Sequence, residues 1–180
     1  MLKKLCAAFG PSGFEDEVRE LVINEITPFC DSVKVDKMGN VIAFKKGKKS
    51  SKKFMADAHM DEVGFIIKNI TDEGTLKFDE VGGIDPRVLP GKKVLVGEKK
   101  IPGVIGVKAL HLSLMEEREK STPINKLYID ICASSKEEAE SLVSVGDYAV
   151  FESGYEEFGD GFIKAKALDD RAGVMVLINM

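Results

Sequence analysis

Ala58-His59-Met60-Asp61-Glu62-Val63-Gly64-Phe65 is the stretch on which the reading of this chain turns. It holds one of only two histidines. Lys53 to Ala58, just before it, is predicted to be a buried strand, with His59 at its carboxyl end and Asp61 two residues on. A histidine so placed can give one ring nitrogen to a metal while a neighbouring carboxylate accepts from the other and fixes the tautomer. Far downstream, Ala167-Leu168-Asp169-Asp170-Arg171-Ala172-Gly173 has the same strand-end character. Open α/β sheets place ligands at the carboxyl ends of their strands. The two elements therefore predict a metal-dependent hydrolase on an α/β scaffold.

Composition sets the bounds. The chain has 180 residues, 44% of them hydrophobic and 31% charged, enough for one domain or two small ones. A net charge of −4 gives no general electrostatic reason to expect nucleic acid. The basic run from Lys45 to Lys53 lies between strand-like segments and reads as a solvated loop. Cys6, Cys30 and Cys132 lack CxxC spacing and predict reduced, mostly buried thiols in a cytoplasmic protein. No secretion signal and no apolar run of about 18 residues is present, so neither export nor a membrane span is expected.

Helices are predicted over Leu2 to Phe9 and again after Ser12, which stands three residues before Glu15 at capping-box spacing. Phe14, Val18, Leu21, Val22 and Ile26 recur at helical period, and Pro28 stops the run. Ser32 to Lys37 and Val41 to Lys45, joined across Gly39-Asn40, predict a hairpin. Short strands then follow at Val63 to Ile70, Leu76 to Val81, Val94 to Val96, Val104 to Val107, Leu127 to Cys132 and Tyr148 to Glu152. Ser135 and Glu138 cap a short helix among them. Phe162 to Leu168 is a further strand, and Arg171 to Met180 is helical in composition. This is an α/β unit, residues 1–65 and 161–180, interrupted by a β-rich insertion over 66–160. The last helix is apolar nearly all round and no cap is expected to stop it, which predicts exposed apolar surface or association with another chain.

Pro11-Ser12-Gly13-Phe14-Glu15, His59 to Phe65, Gly82-Gly83-Ile84-Asp85, Leu127-Tyr128-Ile129-Asp130 and Ala167 to Gly173, in this order and spacing, resemble the M42 family of metallo-aminopeptidases. That family includes glutamyl aminopeptidases, the tetrahedral aminopeptidases and FrvX-like proteins, and some members carry an endoglucanase label. The resemblance implies the amino-terminal part of a zinc-peptidase-like α/β domain and a PDZ-like or barrel dimerisation domain. It implies His59 as a metal ligand, Asp61 as the carboxylate orienting that histidine, and Asp169 as the bridge between two divalent ions. A cis peptide is implied between Asp169 and Asp170. Zn or Co would be the ions, with Mn and Mg as alternatives, and the substrate a peptide trimmed from its amino end. Homo-oligomers from dimer to dodecamer are implied as well.

Two ions roughly 3.5–4 Å apart can polarise a peptide carbonyl and generate hydroxide near neutral pH, and a separate glutamate then acts as general base. The family's catalytic Glu-Glu pair and later ligands follow the Asp-Asp-Arg element, beyond Met180. The Glu-Glu pairs at 116–117, 137–138 and 156–157 precede Asp169 and read as solvated faces. His111 reads as structural. The expected function is thus a dinuclear aminopeptidase present as a truncated chain, inactive alone. A non-catalytic oligomerisation module and a glycoside hydrolase are the alternatives, the last needing two carboxylates that flank a sugar bond.

Overall fold

A computed structural model describes residues 1–48, 52–109 and 122–180. Alternating side chains in the middle of the sequence close a barrel. Its strands are β3 (Gly64–Ile70), β4 (Leu76–Val81), β5 (Lys93–Val96), β6 (Ile101–Gly106), β7 (Tyr128–Asp130) and β8 (Tyr148–Phe151). They pair in the order β3-β4-β7-β6-β5-β8, and β8 returns to β3 through Phe65↔Ala149 and Ile66↔Tyr148. All these pairings are antiparallel. Every second residue points inward: Phe65 and Ile67, Leu76 and Phe78, Val94 and Val96, Ile105, Ile129 and Ala149 are all buried. The register slips between Ile67 and Asn69, and this irregularity lets Ile70 turn inward three residues after Ile67. Gly103 lacks a side chain where a Cβ would lie 2.8 Å from the Ile129 side chain, so β6 can close on β7. The helix α3 (Lys136–Leu142) starts at Ser135, whose hydroxyl accepts from the Glu138 N–H as the capping pattern predicts. Ala139 and Val143 join the barrel core.

Val63–Ser153 form this compact unit, and Met1–Glu62 with Gly154–Met180 form another. These divisions differ from the sequence boundaries, 65/66 and 160/161, by three and seven residues. The second unit contains α1 (Leu2–Ala7), α2 (Asp16–Ile26), α4 (Leu168–Ile178), the hairpin of β1 (Ser32–Val35) and β2 (Val41–Phe44), and the short pair β9 (Glu156–Phe158) and β10 (Phe162–Lys164). Its core is Leu5, Ala8, Val18, Val22 and Val174, with Leu21, Val41, Met175 and Ile178 against it. Val18 and Val22 stand one turn apart on the buried stripe of α2, and Asp16 and Glu17 face the positive end of its dipole. The chain is thus α/β with a six-stranded barrel.

Several expectations are corrected. Lys53 to Ala58 belongs to no strand, and Phe54 and Met55 are 84% and 85% exposed. An apolar run becomes a strand only where a neighbouring backbone completes its ladder, and among the described residues none does. The predicted strand at Phe162 to Leu168 stops at Lys164, where its ladder with β9 ends at Glu156. Cys132 is exposed, also at positive φ, so only Cys6 is a buried thiol. The last helix does have a cap: the Asn179 backbone N–H and side-chain amide both donate to the Met175 carbonyl. Its apolar composition does leave surface uncovered at Val176 and Met180. His111 and the pair at 116–117 lie outside the described residues.

Candidate metal centre

His59, Asp61 and Asp169 converge. The His59 ring lies between two carboxylates, with Nδ1 2.8 Å from Asp61 Oδ1 and Nε2 3.0 Å from Asp169 Oδ1. The peptide between Asp169 and Asp170 is cis. Asp170 turns away from the ring and accepts from the Gly173 N–H at 2.9 Å. Asp169 and Asp170 depart from helical φ/ψ at a kink in the first turn of α4, and the Asp169 side chain is 96% exposed.

Backbone pins hold the His59 loop in place without a strand. Glu62 N donates to the Gly10 carbonyl at 2.9 Å, and Pro11 and Glu62 form a parallel bridge. Beneath them lies a charge cluster. Arg171 is fully buried and its guanidinium reaches five acceptors: the carbonyls of Met60, Leu5, Ala8 and Gly10, and Glu62 Oε1 at 3.2 Å. Lys166 Nζ closes on the same Glu62 oxygen and donates to the Ala8 carbonyl. Glu62 Oε1 also accepts from Gly10 N. One carboxylate oxygen therefore gathers two cations and a backbone amide, tying the end of α1 to the His59 loop and to the residues flanking Asp169. Burial pushes the Lys166 ammonium below its ordinary pKa although Glu62 pulls the other way, and burial raises the Cys6 thiol against Arg171 and Lys166 nearby.

Partial burial works against a charged His59, but the hydrogen bonds to Asp169 and Asp61 outweigh it and raise the ring above its usual value. Burial likewise works against the Asp61 anion, and hydrogen bonds from Ser12 and His59 overcome it, so the carboxyl lies below the ordinary range. The ring thus has one nitrogen committed to Asp61 and the other beside an exposed carboxylate. Two donor atoms 3.0 Å apart can both reach one ion at bond lengths of about 2.0–2.2 Å, so nitrogen and carboxylate oxygen fit a divalent cation. Among the described residues, no group of three or more His, Cys, Asp or Glu could hold a metal.

The structure brings together the three residues singled out from the sequence, His59, Asp61 and Asp169, and sets beside them others that were not. Ser12 is not a helix cap: α2 begins at Asp16, and the Ser12 hydroxyl donates to Asp61 Oδ2 instead. Glu62, Lys166 and Arg171 carry no signal of their own in the sequence beyond their adjacency to the two acidic elements. The Glu137-Glu138 and Glu156-Glu157 pairs are exposed, on α3 and β9.

The M42 glutamyl aminopeptidase family model matches residues 39–180. A candidate aminopeptidase of Acetivibrio thermocellus is 43% identical over 178 residues, which cover 99% of this chain and 51% of that protein. The TET1 peptidase of Pyrococcus horikoshii, which can assemble into a tetrahedron or a large octahedral shell, is 44% identical with a TM-score of 0.87, over 99% of this chain and 53% of its own. A Thermotoga maritima structure named as an endoglucanase is 42% identical with a TM-score of 0.86, over 99% of this chain and 53% of its own. The chain spans about half the length of the curated relatives it matches.

Proposed function

As this chain belongs to the M42 glutamyl aminopeptidase family, we propose that it carries one side of a dinuclear metal-dependent aminopeptidase centre, acting on the free amino ends of peptides. The supporting observation is the His59 ring held between Asp61 and Asp169. In this reading His59 Nε2 and Asp169 are the metal-holding donors, and Asp61 keeps the Nδ1 proton so that Nε2 presents its lone pair. The second oxygen of the exposed Asp169 carboxylate has no hydrogen bond among the described residues and could reach another ion. Divalent ions, Zn or Co foremost, would supply Lewis acidity toward a peptide carbonyl and a hydroxide near neutral pH.

An ion of this kind is ordinarily held by three or four donors, and the reaction needs a general base beyond the residues named. We therefore assign the remaining ligands and the base to residues outside these 180, and expect the 180 residues alone to be nearly silent as a peptidase. The barrel unit is assigned the oligomer-forming role, the PDZ-like dimerisation domain implied by the resemblance, and a second copy of the chain is its partner. The TET1 likeness supports this. Three free cysteines fit a reducing compartment such as the cytoplasm.

The Thermotoga structure's name favours a second reading, glycoside hydrolysis. Asp61 has one oxygen engaged by His59 and the other by Ser12, which leaves it a poor acid or nucleophile. Loading the chain with Zn²⁺ or Co²⁺ and measuring retained metal tests the proposal. His59→Ala and Asp169→Ala should each abolish specific uptake, and equal uptake by all three proteins would reject the site. Leucyl- and glutamyl-anilides should be hydrolysed negligibly; robust turnover by the 180 residues would overturn the assigned inactivity. Light scattering after size exclusion checks the oligomer.

A further inference from the structure

Ser12 lies where nothing about a helix start explains it. Pro11 to Phe14 form a four-residue turn closed by the Phe14 N–H on the Pro11 carbonyl at 2.8 Å, with Gly13 at φ 89° in its third position. Type II turns reserve that position for glycine. The turn is fixed to the His59 loop by the Pro11–Glu62 bridge and the Glu62 N–H on Gly10. Gly13 N donates to Glu15 Oε1 at 2.6 Å. The Ser12 hydroxyl donates to Asp61 Oδ2, while Asp61 Oδ1 faces His59 Nδ1.

We infer that Ser12 is a positioning residue of the metal centre: its hydroxyl holds the Asp61 carboxylate, and through it the His59 ring, in the orientation that presents Nε2 beside Asp169. A carboxylate bonded at one oxygen only can rotate about its χ angles. One bonded at both oxygens, by donors from separate segments, is held in a single orientation. The imidazole takes its orientation from that carboxylate, since its other nitrogen meets only the exposed Asp169. Partners beyond the ligands commonly govern metal affinity by 10–100-fold. The inference rests on the metal-centre reading for its consequence, but the hydrogen-bond chain exists without metal and can be tested so.

The test compares the wild-type 180-residue chain with Ser12→Ala and Ser12→Thr. Three-bond side-chain couplings in the metal-free proteins report whether Asp61 and His59 each hold one rotamer. Wild type and Ser12→Thr should show one rotamer, and Ser12→Ala averaging, with metal-free melting midpoints nearly equal. Titration with Co²⁺ alone should then show Ser12→Ala roughly tenfold weaker, with Ser12→Thr close to wild type. Single rotamers retained in Ser12→Ala, or averaging already in wild type, would overturn the inference. Where the wild type does bind Co²⁺, an equal curve for Ser12→Ala would overturn it as well. If the wild type binds no Co²⁺ but the couplings behave as stated, the positioning role stands and the metal reading falls.

Discussion

Arg171→Ala is the most informative perturbation of the unit that carries the centre. The guanidinium is fully buried, and its removal takes a donor from the Met60 carbonyl, midway between His59 and Asp61, and a cation from Glu62. The damage is bounded, because several acceptors keep other partners. The Ala8 carbonyl retains Lys166, the Leu5 carbonyl retains the Ala8 N–H, and Glu62 retains Lys166 and Gly10 N. Breaking a buried charge pair costs about 3–5 kcal/mol and stripping a buried carbonyl of its donor about 1–3 kcal/mol. Lys166 still neutralises Glu62, which puts the sum near the lower figures, about 3–5 kcal/mol. Hydrogen exchange resolved by residue is the assay, since it reads each unit separately. Amides of Val18 and Val22 should lose protection by roughly a hundredfold or more, while those of Ile67 and Ile105 in the barrel keep theirs. Arg171→Lys, with one ammonium in place of a planar fork, should recover only part. Protection of Val18 and Val22 within tenfold of wild type would refute the account of Arg171 as the tie between α1, the His59 loop and α4.

Two further expectations concern the barrel and the ring. Phe65 is fully buried with its ring edge-on to Phe78 at 4.9 Å and to Phe151 at 5.2 Å, so Phe65→Ala should destabilise the barrel by about 3–5 kcal/mol, read as a shift in its denaturation midpoint. In metal-free protein His59 should titrate above its ordinary 6.5, and Asp61→Asn or Asp169→Asn should each bring it down, followed by its ring proton shifts. A raised folded pKa means that this contribution to stability is complete below the unfolded value and fades as pH rises through the folded one, so its loss is expected on the alkaline side.

Much of this was legible in the chain. The barrel strands alternate at period two, the β1–β2 hairpin is signalled by Gly39-Asn40, and the Ser135 cap forms as its spacing requires. His59 and Asp61 stand out by their residue types and spacing, Asp169 through the family resemblance, and the structure brings the three side chains together. Three things were not legible. Lys53 to Ala58 has strand composition, but pairing is a tertiary property that composition does not carry. Ser12 has cap spacing, but the glycine after it turns the chain so that Glu15 takes the cap position and the hydroxyl goes to Asp61. Glu62, Lys166 and Arg171 carry no sequence signal of their burial, and only their mutual pairing makes it tolerable.

The pairing of β3 with β8 has a kinetic side. These are the first and last strands of the barrel, and Phe65 lies opposite Ala149. The unit built from both ends of the chain must bring Arg171 back to the Leu5 carbonyl, across a separation of 166 residues. In an unfolded chain that closure carries the entropy of a long loop, about 0.6 kcal/mol for each doubling. Once the barrel has closed, its two ends are neighbours and Val63–Ser153 drop out of the loop, which leaves about half of its length, roughly one doubling fewer. The barrel then acts as a staple made of folded protein, and a chain that assembles it first lowers the cost of bringing Arg171 to its acceptors by about 0.6 kcal/mol.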